Sequence, residues 1–360
     1  MSGTGGDARG VRARPLGPAR RRPARSKRLG GLALGTVVGV ALAACSPAPP
    51  PPAPLPPVGP GAAPAGVSAP IVVGANPSDV AITPDGRHAY VANYGTNTVS
   101  VIDTASNTVI ATVPVGDAPD RVALTPDGRH AWVTSVNANS ISVIDTASNA
   151  VTGTVRDLVI PRGVGFTPDG RHAYVPEFGA NRVSVIDTAS LAVVASVPVG
   201  QQPGGVVLTL DGRRAYVLSN TDPGNITVLD TGRNRVSTRI PVPDGPLWVA
   251  IAPNGHTAYS ANAAGSMSVL DLARNTVTET VPVRGEPTGL AISHDGRYVY
   301  LPGARGTLTL VDTRTNKVAA AIPVPGSLKG VAISPDGHRA YLTDFGASSV
   351  AVLDTDSAAK

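Results

Sequence analysis

Cys45 is the only cysteine in 360 residues, and the chain has just two methionines, two tryptophans and three phenylalanines. A single thiol rules out an internal disulfide framework and any zinc site built on paired cysteines. Aromatic residues make up 4% of the sequence and charged residues 15%, so a core has to be built from aliphatic side chains. No apolar run reaches the roughly eighteen residues that mark a spanning helix. The GxSxG, HExxH, CxxC, phosphate-loop and dinucleotide glycine signatures are all missing, and with them the enzyme classes they mark.

Positive charge is scarce outside one segment. Residues 1–44 hold nine Arg and Lys side chains against Asp7 alone, a charge of +8. With the whole chain at +5, residues 45–360 carry −3. The body of the chain therefore lacks the broad positive field that draws nucleic acid, and no nucleic-acid partner is expected. The basic stretch runs into a short glycine-rich apolar segment, Leu29 to Ala44, and then into Cys45. Leu42 to Cys45, "LAAC", looks like a bacterial lipobox. This predicts a lipoprotein-type signal peptide at 1–44, a lipid on Cys45, and anchoring to the membrane on its extracytoplasmic side. Residues 46–68 contain ten prolines. With Cys45 they read as an extended tether of polyproline type, reaching up to roughly 70 Å at about 3.1 Å per residue.

What the rest has in abundance is repetition. A turn of the form PDG or a close variant starts at residues 84, 126, 168, 210, 253, 294 and 335. A second signature, Asp-Thr or its variant, recurs at Asp103, Asp145, Asp187, Asp230, Asp271, Asp312 and Asp354. Each period carries four short runs rich in Val, Ile, Ala and Thr, such as 122–125, 130–134, 140–144 and 108–115. Several of these runs are almost wholly apolar, as expected of sheets covered on both faces. Seven such units predict an all-β, seven-bladed β-propeller over 69–356, with four antiparallel strands per blade and a tail at 357–360. The last unit has no outer strand, and residues 70–73 have no blade before them. These residues are expected to complete the last blade and close the ring.

"AYVANYGTNTVSVIDTASNTVIATVPVGDAP" (89–119) resembles the YVTN family of β-propeller repeats, and the likeness runs through all seven units. The resemblance implies the architecture and leaves activity open, since such repeats are also similar to the propellers of cytochrome d1 and of some lactonases. A quinoprotein-type propeller is not expected from a chain with two tryptophans.

Recurring residues read as scaffolding. The aspartate of each Asp-Thr pair can accept backbone N–H groups in the turn that follows. The six histidines lie in or beside the PDG turns, one blade apart, and equivalent positions on adjacent sheets about 10 Å apart cannot share a metal. No metal and no cofactor are expected. The irregular residues fall on the opposite rim, in the blade junctions and the loops between second and third strands. There the candidate binding residues are Asp79, Tyr94, Arg121, Arg162, Glu177, Trp248, Lys329, Asp344 and Phe345, with Asp120 and Phe178 beside them. The function these imply is a non-catalytic binding or interaction scaffold, monomeric, whose partner is an envelope protein, a glycan or a small molecule. The alternative is a lactonase-like hydrolase or a redox accessory protein, in which Asp79, Glu177 and Asp344 would be the first carboxylates to test.

Overall fold

The computed structural model describes residues 66–358 apart from 222 and 244. The expected signal peptide, Cys45 and the tether as far as residue 65 lie outside the described residues.

Seven four-stranded antiparallel sheets follow one another along the chain. In blade 1 the strands are Pro77–Ile82, His88–Asn93, Thr98–Asp103 and Thr108–Pro114, paired in that order. Middle strands such as Ala89 to Asn93 are buried at every consecutive residue, because both faces of the sheet are covered by neighbouring blades. Outer strands are largely exposed, and five of them carry a proline at or next to their end, Pro114, Pro198, Pro282 and Pro323 at the last residue and Pro241 one residue before it. A proline there withholds an N–H from any foreign strand. First strands begin earlier than the apolar runs suggest. In blade 2 the strand starts at Pro119, which pairs with Ser135 across an irregularity before Arg121, and a proline is tolerated as the first residue of a strand. A final turn of helix, Thr355–Ala358, is the one helix among the described residues.

The ring closes as expected. Ile71–Val72 pairs antiparallel with Ser349–Asp354, the third strand of blade 7. Pairing extends further upstream than residue 69, through a Val67 to Leu353 bridge, Ser68 N to Val352 O at 2.8 Å, and Asp354 N to Gly66 O at 2.8 Å. Ile71 packs with Val80, Val91, Tyr341 and Val350, and so joins the first blade to the last.

The repeated aspartates are fasteners. Asp103 Oδ1 accepts the Ser106 N–H and hydroxyl, each at 2.8 Å, and Asp145, Asp187, Asp230, Asp271 and Asp312 hold their turns in the same way. In the PDG turn Asp85 accepts the Thr83 hydroxyl at 2.6 Å and the Arg87 N–H at 3.0 Å, while Gly86 adopts the left-handed φ of 73° that the turn requires. Each second-strand tyrosine is core, and four of them also latch onto the next blade. Tyr90, Tyr174, Tyr216 and Tyr341 donate to Asn149, Asn234, Asn275 and Asn107 at 2.7–3.1 Å. Blade 2 has Trp132 in place of the tyrosine, and the facing residue in blade 3 is Leu191 instead of asparagine, so an apolar pair replaces the latch.

Deleting residues 69–76 removes the closing strand and leaves the edge of Ser349–Asp354 bare. We expect the melting temperature to fall by about 10 °C or more. An unchanged melt by circular dichroism would show that the ring does not depend on this strand.

Candidate functional site

Every blade carries the same frame at its first strand, as the strand's opening in five blades and just ahead of Gly165–Phe166 and Ala291–Ile292 in blades 3 and 6: a proline, or Leu328 in blade 7, then two variable residues, then valine or leucine. The first variable position reads Ser78, Asp120, Arg162, Gly204, Leu247, Thr288 and Lys329 around the seven blades. The second reads Asp79, Arg121, Gly163, Gly205, Trp248, Gly289 and Gly330. Adjacent first strands approach closely, with the Ser78 hydroxyl donating to Pro119 O at 3.0 Å and the Thr288 hydroxyl to Leu328 O at 2.9 Å. Glycine permits this approach. A Cβ on Gly289 would meet Lys329 O at 2.6 Å, and one on Gly330 would meet Asp79 Cα at 2.9 Å.

These two circles of positions bring together most of the candidates. Asp120 is the hub, with its side chain 3% exposed. Arg162 Nη1 donates to Asp120 Oδ2 at 3.3 Å, Arg121 Nε lies 3.8 Å from the same oxygen, and Lys329 Nζ lies 3.6 Å from Oδ1. Arg121 places its guanidinium 3.7 Å from the centre of the Trp248 ring. Arg162 faces Phe178 at 5.2 Å, and Lys329 faces Phe345 at 4.8 Å and Tyr94 at 5.8 Å. Tyr94 and Phe345, contributed by the neighbouring blades 1 and 7, are 6.4 Å apart. Junction residues and loop aromatics thus meet on one rim, as the strand order requires.

Charge in this cluster is unbalanced: Arg121, Arg162 and Lys329 face Asp120 and Asp79. Burial pushes the Asp79 carboxyl up to about 6, against the opposing pull of Arg121 and of the Val122 and Val80 N–H groups. Val122 N donates to Asp79 Oδ2 at 3.1 Å. Asp120 is equally enclosed, and burial works to raise it too, but Arg121, Lys329 and Arg162 outweigh that and hold it below the usual carboxylate range. For Lys329, burial is the largest influence, and the ammonium titrates below its ordinary value despite Asp120. Asp79, Arg121, Arg162 and Trp248 line a cavity of about 100 Å3 together with Gly163, Gly205 and Val206.

Glu177 and Asp344 stand apart from this cluster. Each ends a second strand, and each folds back onto its own blade. Glu177 is fully buried and takes two hydrogen bonds from Arg182, at 2.8 and 2.9 Å, the Ser184 hydroxyl at 2.5 Å and the Val159 N–H at 2.8 Å. Asp344 accepts the N–H groups of Ser327, Gly346 and Ala347 at 3.0–3.1 Å. Asn93 and Asn262 occupy the same strand position and bond to neighbouring hydroxyls. These side chains hold loops. Sequence reasoning passed over Arg182 as the partner of Glu177; its signal was an arginine opening the third strand directly across from a glutamate closing the second.

A hollow of about 280 Å3 beside Glu286 and Arg305 also lies on this rim, and larger ones lie on the opposite rim. One of about 640 Å3 between blades 2 and 3 is lined by Thr125, Asp127, His130, Trp132, Asp169 and Leu191. Asp127 and Asp169 are bonded within their own turns, so this groove presents the repeated scaffold.

Comparison with known proteins supports the propeller and stops there. Residues 62–169 match the model of the YNCE-like beta-propeller family, a segment that covers the closing strand and blades 1 and 2. No curated protein matches the chain significantly. Among solved structures, a chain of Kuenenia stuttgartiensis hydrazine synthase matches with a TM-score of 0.72 at 21% identity, over 78% of this chain and 95% of that one. It is one of 1899 matching chains, so this likeness is one of fold and carries no activity with it.

Two substitutions separate the cluster from the loop fasteners. Asp79 favours the folded state most below its ordinary value of 3.8 and loses that contribution as the pH rises through about 6. At pH 7.5 the folded protein holds an ionised, buried carboxylate that the unfolded chain would solvate. Asp79→Asn is therefore expected to raise the melting temperature by about 3–8 °C at pH 7.5, with the gain shrinking toward zero at pH 4; a lower melt at pH 7.5 overturns the assignment. Glu177→Ala leaves Arg182 and the Val159 N–H without their acceptor. It is expected to cost about 2–4 kcal/mol in chemical denaturation, the partial exposure of Arg182 keeping the figure below that of a fully buried pair.

Proposed function

We propose that this chain is a lipid-anchored, extracytoplasmic β-propeller that binds a ligand or partner through its variable rim and acts as a scaffold without catalysing a reaction. One observation supports the reading above others: Arg121, Arg162, Lys329 and the aromatics Tyr94, Phe178, Trp248 and Phe345, which break the sevenfold pattern, meet on one rim. The opposite rim is occupied by aspartates, threonines and glycines bonded within repeated turns. A mixed-charge mouth with aromatic walls suits recognition. Catalytic chemistry by paired carboxylates has less support, since Glu177 and Asp344 direct their acceptors to their own loops.

The direction of the chain sets which rim the proposed anchor would act on. The closing strand begins beside Asp354, at the rim of constant turns, and ends beside Ser348, at the variable rim. A lipid on Cys45 would then draw the constant rim toward the membrane and leave the variable rim facing outward.

Hydrogen exchange of the full chain with and without solubilised envelope extract tests the binding face. Protection is expected around Tyr94, Arg121, Phe178, Trp248 and Phe345, and the double substitution Arg121→Ala with Trp248→Ala should remove it. Protection confined to the PDG turns would refute the reading. For the anchor, Cys45→Ser should abolish incorporation of labelled fatty acid and move the protein from the membrane to the soluble fraction.

A further inference from the structure

We propose that the channel mouth is a binding site for the carboxylate head of a small monoanionic organic acid, held by Arg121, Lys329 and Arg162. The proposal rests on the reading of the variable rim as a binding face and goes further, to the chemistry of what is bound.

Unused donors carry the argument. Three cations present thirteen N–H bonds, and among the described residues the only side-chain hydrogen bond they make is Arg162 Nη1 to Asp120. Arg121 and Lys329 approach Asp120 only at 3.8 and 3.6 Å, beyond hydrogen-bond length. Arg121 Nη1 and Arg162 Nε are both enclosed and without an acceptor. Enclosed cationic donors without acceptors are costly, and an arriving oxyanion would satisfy them. Stacking on Trp248 fixes the plane of the Arg121 guanidinium, whose Nη1 has no acceptor to turn it elsewhere.

Charge and size select the ligand. Three positive groups against Asp120 and Asp79 leave a net +1, which a monoanion neutralises and a dianion would overshoot. The cavity of about 100 Å3, lined by Arg121, Arg162 and Asp79 with Lys329 outside its wall and joined to it through Asp120, is well below the roughly 300–1,000 Å3 of pockets that enclose whole drug-sized ligands. It takes a head group of a few heavy atoms, and the remainder of the molecule would lie among Tyr94, Phe178 and Phe345.

The test is titration of the full chain with acetate, propionate, benzoate and inorganic phosphate at constant ionic strength and pH 7.5, followed by tryptophan fluorescence. Trp248 is the reporter, and Trp132, the only other tryptophan, is buried in the core. The expected result is a saturable change with the carboxylates whose Kd rises about tenfold or more in Arg121→Gln and in Lys329→Gln. Phosphate should bind at least about tenfold more weakly than benzoate. Arg305→Gln, which removes an exposed arginine paired with Glu286, should shift the Kd less than twofold. Circular dichroism melts confirm that each variant is folded, and Lys329→Arg should restore binding if Lys329→Gln loses it. No saturable change with any carboxylate, a Kd unaltered by Arg121→Gln, or tighter binding of phosphate overturns the proposal. A null titration alongside rim protection in hydrogen exchange would remove the carboxylate site and leave the binding face standing, whereas loss of both removes the two together.

Discussion

Closure of a ring of seven sheets is the constraint from which the rest follows. Once Ile71–Val72 pairs with the third strand of blade 7, residues elsewhere in a blade meet at most those of the adjoining blade, as Tyr94 and Phe345 do, whereas at the inner ends of the first strands side chains of blades 2, 3 and 7 come together. Only there can one side chain from each of several blades meet. The second strands show the contrast: their tyrosines recur in the same place and reach no further than the adjoining blade. Irregular residues at the inner ends form a cluster because they have nowhere else to point, and Gly163, Gly289 and Gly330 among them keep the strands close enough for it to form.

The cluster also shows how a small core region can carry charge. Asp120 remains ionised inside because three cations surround it, while Asp79, with Arg121 as its chief opposing charge, is driven toward protonation. Two buried carboxylates in neighbouring blades thus differ in titration through the company they keep. That difference is a property of the assembled ring, since Arg162 and Lys329 belong to blades 3 and 7.

Much of this was legible in the sequence, for a physical reason: a motif repeated at a fixed spacing reports a local structure that does not depend on what lies far away. The blade count, the closing strand, the guard prolines and the bonded aspartates are all of that kind. The meeting of Tyr94 with Phe345 followed from blade adjacency alone. Glu177 and Asp344 were harder to place, because the last residue of a second strand sits at the variable rim in sequence but turns back onto backbone and side-chain donors that only the folded loop provides. Asp120 was visible as a junction residue but its central place was not, since beyond its neighbour Arg121 its partners lie one blade on, Arg162, and two blades back, Lys329. The Trp132 and Leu191 exchange was likewise hidden. Gly153 completes it by leaving room where a Cβ would collide with the leucine, and no single repeat reveals a three-way fit.

The seam of the ring carries a mechanical consequence. Hydrogen bonds between Gly66 and Asp354, Ser68 and Val352, and Val73 and Ser348 all lie across the axis of the closing strand. Tension on the chain upstream of Gly66, resisted by a load on the far rim, pulls along that axis. The bonds are then stressed together in shear rather than peeled one after another, so the join that seals the wheel is oriented to withstand traction.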